Sequence, residues 1–537
     1  MTRTIFLLGI FLFQLLLSAQ EDAWVYLVDK ENVAYSIANP TTILTQKAID
    51  RKSKYGIVID ERDVPVNPSY INQLKNADGI TVLAQSKWLN AVHVRGELAD
   101  IENLLTNPSL TFIDSIEFAN KNLTLPKGSL EKKILKTELT VVADYNYGNA
   151  LNQTEMIKVD QLHLNSFTGS GITVAVLDSG FPNVDTMEAF KRLRDAGGII
   201  GGYDLVDRDT DVYTNTTSNH GTLVLSTMAG YIEGEYVGTA PDASYYLFIT
   251  EDGDNENPVE ESYWVEAAER ADSLGVDIIN SSLGYGRFYD NDNYNYTASN
   301  FDGQTAFITR GANIASEKGL LIVNSAGNEG SNGVGAPADS AGGFSIGAVD
   351  ANGNYAAFSS VGNSYQPTQK PDVVAQGQAS YVIREDGTIV ASSGTSFSAP
   401  ILAGGMACLW QALPDKTPLE LMQLVRESAS QYTNPDNFLG YGIPNLEQAL
   451  SNALSMEEDN RIDVKMYPNP ASHTLFFSLE ENKDYTIGIF DVSGKRIIES
   501  VPSSSNPQIN IVSLLAGMYV VKVYCSDSTQ TFKLIKQ

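Results

Sequence analysis

Four short, nearly unbroken apolar runs constrain the fold of this chain most: ITVAVLD (172–178), ASYYLFIT (243–250), VDIINSS (276–282) and GLLIVNSAG (319–327). Each has the length of a strand, and each is apolar at both the odd and the even positions, so neither face is made for water. Helix-like segments such as Glu260–Leu274 separate them. Strands buried on both faces and alternating with helices specify an α/β domain, a parallel sheet covered by helices. Reactive and binding groups in such a sheet lie beyond the carboxyl ends of its strands.

This pattern occupies residues 141–455, and 537 residues are too many for one core, so further units are expected on either side. The first residues, MTRTIFLLGIFLFQLLLSAQ, place Arg3 before an apolar run from Ile5 to Leu17 and small residues Ser18 and Ala19. That is the order of a secretory signal peptide over 1–19, and the run is shorter than the ~18 residues of a membrane span. Within 20–140, strand-like runs (AWVYLV, ITVLA, NAVHVRG) alternate with helix-like Thr42–Lys54 and Glu97–Asn107, which predicts a small α+β domain. It runs into a lysine-rich connector, LTLPKGSLEKKILKTEL, open to proteolytic nicking. Residues 463–537 alternate strands with PNP, SG and AG turns and predict a compact antiparallel β-sandwich. The polar stretches EDGDNEN (251–257) and FYDNDNYNYTASN (288–300) read as solvated loops.

Sixty-five acidic against 36 basic residues give a net charge of −29, which argues against a nucleic-acid partner. The two cysteines, Cys408 and Cys525, fall in different predicted domains, so a disulfide is not favoured.

Four histidines limit any chemistry that needs an imidazole: His93, His163, His220 and His473. Three read as structural. His220, in SNHGTLVLSTMAG, stands where a polar loop gives way to a helix, although loops collect histidines without function. Asp178 ends the run ITVAVLD at a strand's carboxyl end, where a turn aspartate is equally common. Ser396, in GTSFSAPILAGGMACLW, starts an apolar helix, where its Oγ lies near unpaired backbone N–H groups; a helix cap would occupy the same place. Asn328, in NSAGNEG, follows the run GLLIVNSAG and can turn its amide into a cleft or hold a left-handed turn. Each residue is ambiguous alone. Together they supply Asp, His, Asn and Ser at element ends of one domain.

Chain order separates hydrolase classes. The order Asp178, His220, Ser396 excludes an α/β-hydrolase, which runs Ser, acid, His and needs a G-x-S-x-G elbow. Cys408 lies inside an apolar helix, and no H-E-x-x-H or paired C-x-x-C supports a zinc hydrolase.

VAVLDSG, NHGT, SAGNEG and GTSFSAP resemble, in this order, the Asp, His, oxyanion-Asn and Ser motifs of the subtilisin-like serine peptidases, the subtilase family. Phe397 stands where the family usually has Met. The resemblance implies a serine endopeptidase acting through Asp178, His220 and Ser396, with Asn328 in the oxyanion hole. It implies a substrate-binding edge and pocket wall at Ser281, Ser282, Leu283 and Gly284, faced by Ala326 and Gly327. No cofactor is implied for the chemistry. Structural calcium is common in the family, but its ligands are not placed; Asp207, Asp209 and Asp211 read better as a solvated acidic loop. Stretches such as SKWLNAVHV resemble subtilase propeptides, which implies a zymogen blocked by its own N-terminal domain. The YPNP opening of the last unit resembles the sorting domain of type IX secretion, which implies export by that machinery to the medium or the cell surface; an accessory binding domain is the alternative. The partners implied are thus protein or peptide substrates, the propeptide and the secretion machinery.

Overall fold

The structure, a computed structural model, describes residues 20–123, 145–214, 216, 218–253, 255–459, 464–479, 484–490, 496–502, 507–525 and 528–537. The expected signal peptide and most of the connector lie outside the described residues.

The four apolar runs form the middle of a seven-stranded sheet. Its order is Val373–Gln376, Phe344–Val349, Leu321–Ser325, Ile278–Ser281, Thr173–Asp178, Ser244–Ile249 and Ile199–Asp204. All six pairings are parallel. Every residue of Thr173–Asp178 is buried, as its apolar character at both parities requires. Helices Val259–Leu274 and Phe307–Glu317 join Ala175, Leu177, Ile279 and Ile322 in one core. A second pair of helices, His220–Ala229 and Thr395–Ala412, packs together and against the sheet.

The N-terminal region folds with this domain as one unit. Its antiparallel sheet runs Thr81–Ser86, Ala91–Glu97, Gln20–Leu27, Ile113–Phe118, with its own core of Leu74, Val92, Ile101 and Leu104. The sheet lies on the helices Val259–Leu274 and Phe307–Glu317. Trp24 stacks on Phe307 at 4.7 Å between ring centres, and the Glu269 carboxylate accepts from Ser86 Oγ (2.6 Å) and the Lys87 and Trp88 amides (2.9 Å each). Lys52 bridges Asp63 (3.0 Å) and Asp272 (2.8 Å), Arg51 pairs with Asp272, and Lys318 reaches Asp60 and Asp63 at 2.8 and 2.7 Å. Charges taken out of water hold only when paired in this way.

The second unit carries two antiparallel sheets, Lys465–Tyr467 with Thr474–Ser478 and Gln508–Asn510, and Arg496–Ser500 with Thr486–Phe490, Gly517–Cys525 and Ser528–Lys536. Leu475, Phe477, Ile487, Ile489, Val521 and Leu534 fill the core, as their alternation along the strands predicts.

Three expectations need correction. The helix placed at Thr42–Lys54 is two elements, a 3₁₀ turn at Pro40–Thr42 and a helix Gln46–Lys54, because Thr45 caps the second by accepting from the Ala48 amide. The stretch 288–300 is not simply solvated: Tyr289, Tyr294 and Tyr296 are buried, and Tyr289 and Tyr296 donate to the buried Glu261. The apolar helix expected to start at Ser396 starts one residue earlier, at Thr395, so Ser396 lies in its first turn.

Candidate active site

Asp178 is the last residue of its strand and is fully buried. Its Oδ1 accepts from the Ser179 amide (2.9 Å), Ser179 Oγ (3.2 Å) and His220 Nδ1 (2.7 Å). His220 is the first residue of its helix, and Gly221 behind it makes the approach possible. A Cβ there would lie 2.4 Å from Gly180 O and 3.0 Å from Asp178 Cβ, so the NHG sequence lets the helix start press against the strand end. The His220 side chain remains 30% exposed. Burial opposes protonation of the ring, but the charge and hydrogen bond of Asp178, aided by Glu251, prevail and raise its pKa above the ordinary 6.5.

Ser396 opens the apolar helix Thr395–Ala412, which contains Pro400. Proline has no N–H, so the Ser396 carbonyl, four residues earlier, has no helical donor. Ser282 Oγ takes that role, donating to Ser396 O at 2.8 Å. In return, Ser396 Oγ donates to Ser282 O at 3.3 Å, a long bond that holds the hydroxyl weakly. Phe397 packs beside the imidazole of His220, 6.0 Å between ring centres, so the large apolar residue serves as a wall for that ring.

Asn328 is exposed, and its Oδ1 accepts from the Thr395 amide (2.9 Å) and Thr395 Oγ1 (3.1 Å). With the oxygen so held, Nδ2 is the remaining polar atom of that amide. Gly327 stands at φ +105°, a backbone conformation that L side chains rarely adopt. Its amide donates to Thr395 Oγ1 at 3.2 Å. Thr395 was not singled out by sequence reasoning; its place directly before Ser396 is the only signal it gives.

The expected substrate-binding residues divide. Ser281 Oγ accepts from Trp264 Nε1 at 2.9 Å inside the core and faces away from any peptide. Ser282 clasps Ser396, and Leu283 O accepts from Asn324 Nδ2 at 3.1 Å. Gly284 is open, since a Cβ there would meet only Ala336 O at 4.0 Å. Ala326 packs with Val334 and Ala338 in a small apolar cluster.

Two of the remaining histidines, His93 and His163, are buried, and His473 is exposed. His163 is buried between Tyr147 Oη (2.8 Å) and Thr239 O (3.0 Å), and burial lowers its pKa to about 4. Cys408 and Cys525 are both free and buried. Among the described residues, no group of three or more His, Cys, Asp or Glu side chains is arranged to hold a metal ion. The Asp207–Asp211 loop does not fit a cation: Asp209 Oδ1 accepts from the Asp211 amide, and Asp211 Oδ1 from the Tyr213 and Thr214 amides. These carboxylates build turns.

Residues 22–136 match the peptidase S8 propeptide domain of Bacteroidota, and residues 465–537 match the secretion system C-terminal sorting domain. Subtilisin NAT of Bacillus subtilis subsp. natto is 28% identical over 376 residues, covering 69% of this chain and 83% of that protein. Subtilisin of Bacillus pumilus is 30% identical over 298 residues, 55% of this chain and 96% of that protein. Among solved structures, a protease from Pseudoalteromonas arctica PAMC 21717 aligns over 58% of this chain and all of its own length, at a TM-score of 0.46 and 22% identity. Residues 169–442, just over half of the 537, match the subtilase family itself, and the chain therefore belongs to that family of serine endopeptidases, carried with a propeptide and a secretion-sorting domain.

Proposed function

We propose that this secreted subtilase hydrolyses peptide bonds through an acyl-enzyme on Ser396. The observation that carries the reading is the Asp178–His220 bond of 2.7 Å at the carboxyl end of the central strand, with Ser396 in the first turn of the neighbouring helix. Ser396 Oγ turns from its weak bond to Ser282 O toward His220 Nε2, which takes the proton as Oγ attacks the scissile carbonyl. Asp178 fixes the tautomer with Nδ1–H toward the carboxylate and stabilises the imidazolium. Asn328 Nδ2 and the Ser396 amide receive the oxyanion, and His220 returns its proton to the leaving amine. Water then hydrolyses the acyl-enzyme by the same route. Losing one oxyanion donor costs about 10²–10³ in turnover, so Asn328→Ala should lower kcat by that factor in steady-state assays.

The peptide lies along Ser282–Gly284 on one side and Ala326–Gly327 on the other, with Gly284 leaving room. Residues 1–19 are removed on export, 20–140 comprise the propeptide and connector, 141–455 the peptidase and 463–537 the sorting domain. The propeptide inhibits its own peptidase until cleaved, and the sorting domain is read by the secretion machinery. A fluorophosphonate probe tests the mechanism: it should label the mature chain at Ser396 and leave Ser396→Ala unlabelled. Labelling that survives the substitution overturns the assignment.

A further inference from the structure

Glu251 follows the strand Ser244–Ile249 by two residues. That strand pairs with Thr173–Asp178 in a register that sets Ile249 against Asp178, and the Thr250 amide donates to Asp178 O at 3.1 Å. The Glu251 carboxyl group therefore stands at the same edge of the cleft as Asp178 and His220. Its loop is tied down from below: Glu260, in the helix Val259–Leu274, accepts from the Asp252 amide (2.8 Å) and the Asn257 amide (3.2 Å). Tyr285 Oη donates to Glu251 Oε1 from the other side. Tyr285 is buried and paired through its backbone with Ala336, at 2.7 and 3.3 Å, and it comes directly after Leu283 and Gly284.

Glu251, in the stretch EDGDNEN, is thus not simply a solvated loop residue. It is half-buried, and four other shielded carboxylates are held differently. Asp272 has Arg51 and Lys52, Asp22 has His93 and Arg95, Asp372 has Lys370 and Arg426, and Glu269 accepts three hydrogen bonds. Glu251 accepts one, from a neutral phenol. The charged and titratable groups acting on it are Glu256 and Glu260 from its own loop and the following helix, Tyr285 across the cleft, and Asp178 and His220 of the site. A shielded carboxylate with one neutral donor and carboxylate neighbours lacks a cation.

We propose that Glu251, held by Tyr285, selects a lysine or arginine side chain in the substrate on the acyl side of the scissile bond. This rests on the proposed reading of Ser282–Gly284 as an edge along which the peptide lies, and it takes that edge as the acyl side; Tyr285 continues it. An ammonium or guanidinium supplies the missing charge, and a hydrogen bond to an ionised group in a sheltered place is worth more than one between neutral groups. Burial, joined by the neighbouring Glu256 and Asp178, raises the Glu251 pKa to about 7, so the carboxylate forms as pH rises through neutrality. Selection should strengthen over that interval while the substrate's lysine stays charged throughout.

The test uses the mature enzyme and peptide pairs that differ only in lysine against its neutral isostere norleucine, at each of the four positions preceding the scissile bond. The wild type should favour lysine at one position by roughly 10-fold or more in kcat/KM at pH 8, and by several-fold less at pH 6. The protonation of His220 is common to both peptides and cancels in the ratio. Glu251→Gln should bring the ratio near one at both pH values, and Glu251→Lys should turn the preference toward glutamate over glutamine. Fluorophosphonate labelling of Ser396 in each variant reports an intact site. A labelled wild type indifferent to lysine at all four positions, or a preference that Glu251→Gln leaves unchanged, overturns the assignment to Glu251 alone. An unlabelled wild type overturns the acyl-enzyme mechanism together with it.

Discussion

Asp22, His93 and Ser262 are joined at 2.9 and 2.8 Å, much as Asp178 and His220 are joined at 2.7 Å with Ser396 beyond them. The first line spans the contact between the N-terminal sheet and the helix Val259–Leu274; the second lies at the carboxyl end of the central sheet. The residue types are shared, and the surroundings are opposite. Ser262 Oγ also accepts from Trp24 Nε1 at 2.8 Å, His93 is 1% exposed, and Arg95 shares the Asp22 carboxylate. Nothing is left to react and no substrate can enter. The second line keeps a partly exposed imidazole, a serine hydroxyl on a long bond, and an exposed asparagine whose side-chain oxygen is held by Thr395. An Asp–His–Ser line becomes a catalytic candidate through access, a free proton acceptor and nearby donors for developing charge, not through its hydrogen bonds.

The two serines should break apart most widely. Ser396→Ala should lower kcat by about 10⁶, the loss found when the nucleophile leaves a triad of this kind. Ser262→Ala should leave kcat/KM of the mature enzyme within about two-fold. Its effect belongs to the precursor, where two hydrogen bonds across the contact are lost, and amide exchange of residues 20–123 should quicken by about 10–100-fold. A mature enzyme crippled by Ser262→Ala would erase the distinction.

The aspartates sharpen the comparison at a smaller scale. Asp178→Asn keeps the shape but favours the wrong tautomer of His220, and kcat should fall by about 10⁴. Asp22→Ala strands His93 and Arg95 in a shielded contact, a loss of about 3–5 kcal/mol for a broken buried pair. Because Asp22 lies in the matched propeptide domain, which the proposed maturation removes, the mature enzyme should be unaltered while the secreted precursor gains activity faster, which a time course of activation after secretion measures.

The parts of this site that follow from chain-local chemistry could be read in advance. Strand ends placed Asp178 and Asn328, a helix start placed His220 and Ser396, and order along the chain chose among hydrolase classes. What escaped depends on partners brought together by folding. Pro400 denies Ser396 O a helical donor, but nothing in SFSAP names Ser282 as its replacement. Ser281, adjacent to it, points instead to Trp264, because alternate strand residues face opposite sides. Glu251 looked solvated within EDGDNEN because Tyr285, 34 residues away, is what shelters it. The tyrosines of 288–300 looked exposed for the same reason, since Glu261 lies in a helix upstream.

The smallest expected effect is a shift in pH dependence. His220 must be neutral to accept the Ser396 proton, and Asp178 with Glu251 holds its pKa above 6.5 against the opposing influence of burial. Activity should therefore fall as pH drops through that raised value, with the acidic limb of kcat/KM centred above 6.5. Stability runs the other way. A raised pKa means that the fold favours the imidazolium, so this contribution is complete below 6.5 and fades as pH climbs through the raised value. Asp178→Asn removes the main cause, and the residual activity should lose its acidic limb to lower pH as burial acts with less opposition. Glu251→Gln, removing the weaker cause, should move the limb in the same direction by less. His163, lowered to about 4 by burial, stays neutral across the whole interval and contributes nothing to the limb. A limb unmoved by Asp178→Asn would mean that the titrating group is not His220, and the contrast between the two Asp–His–Ser lines would lose its chemical half.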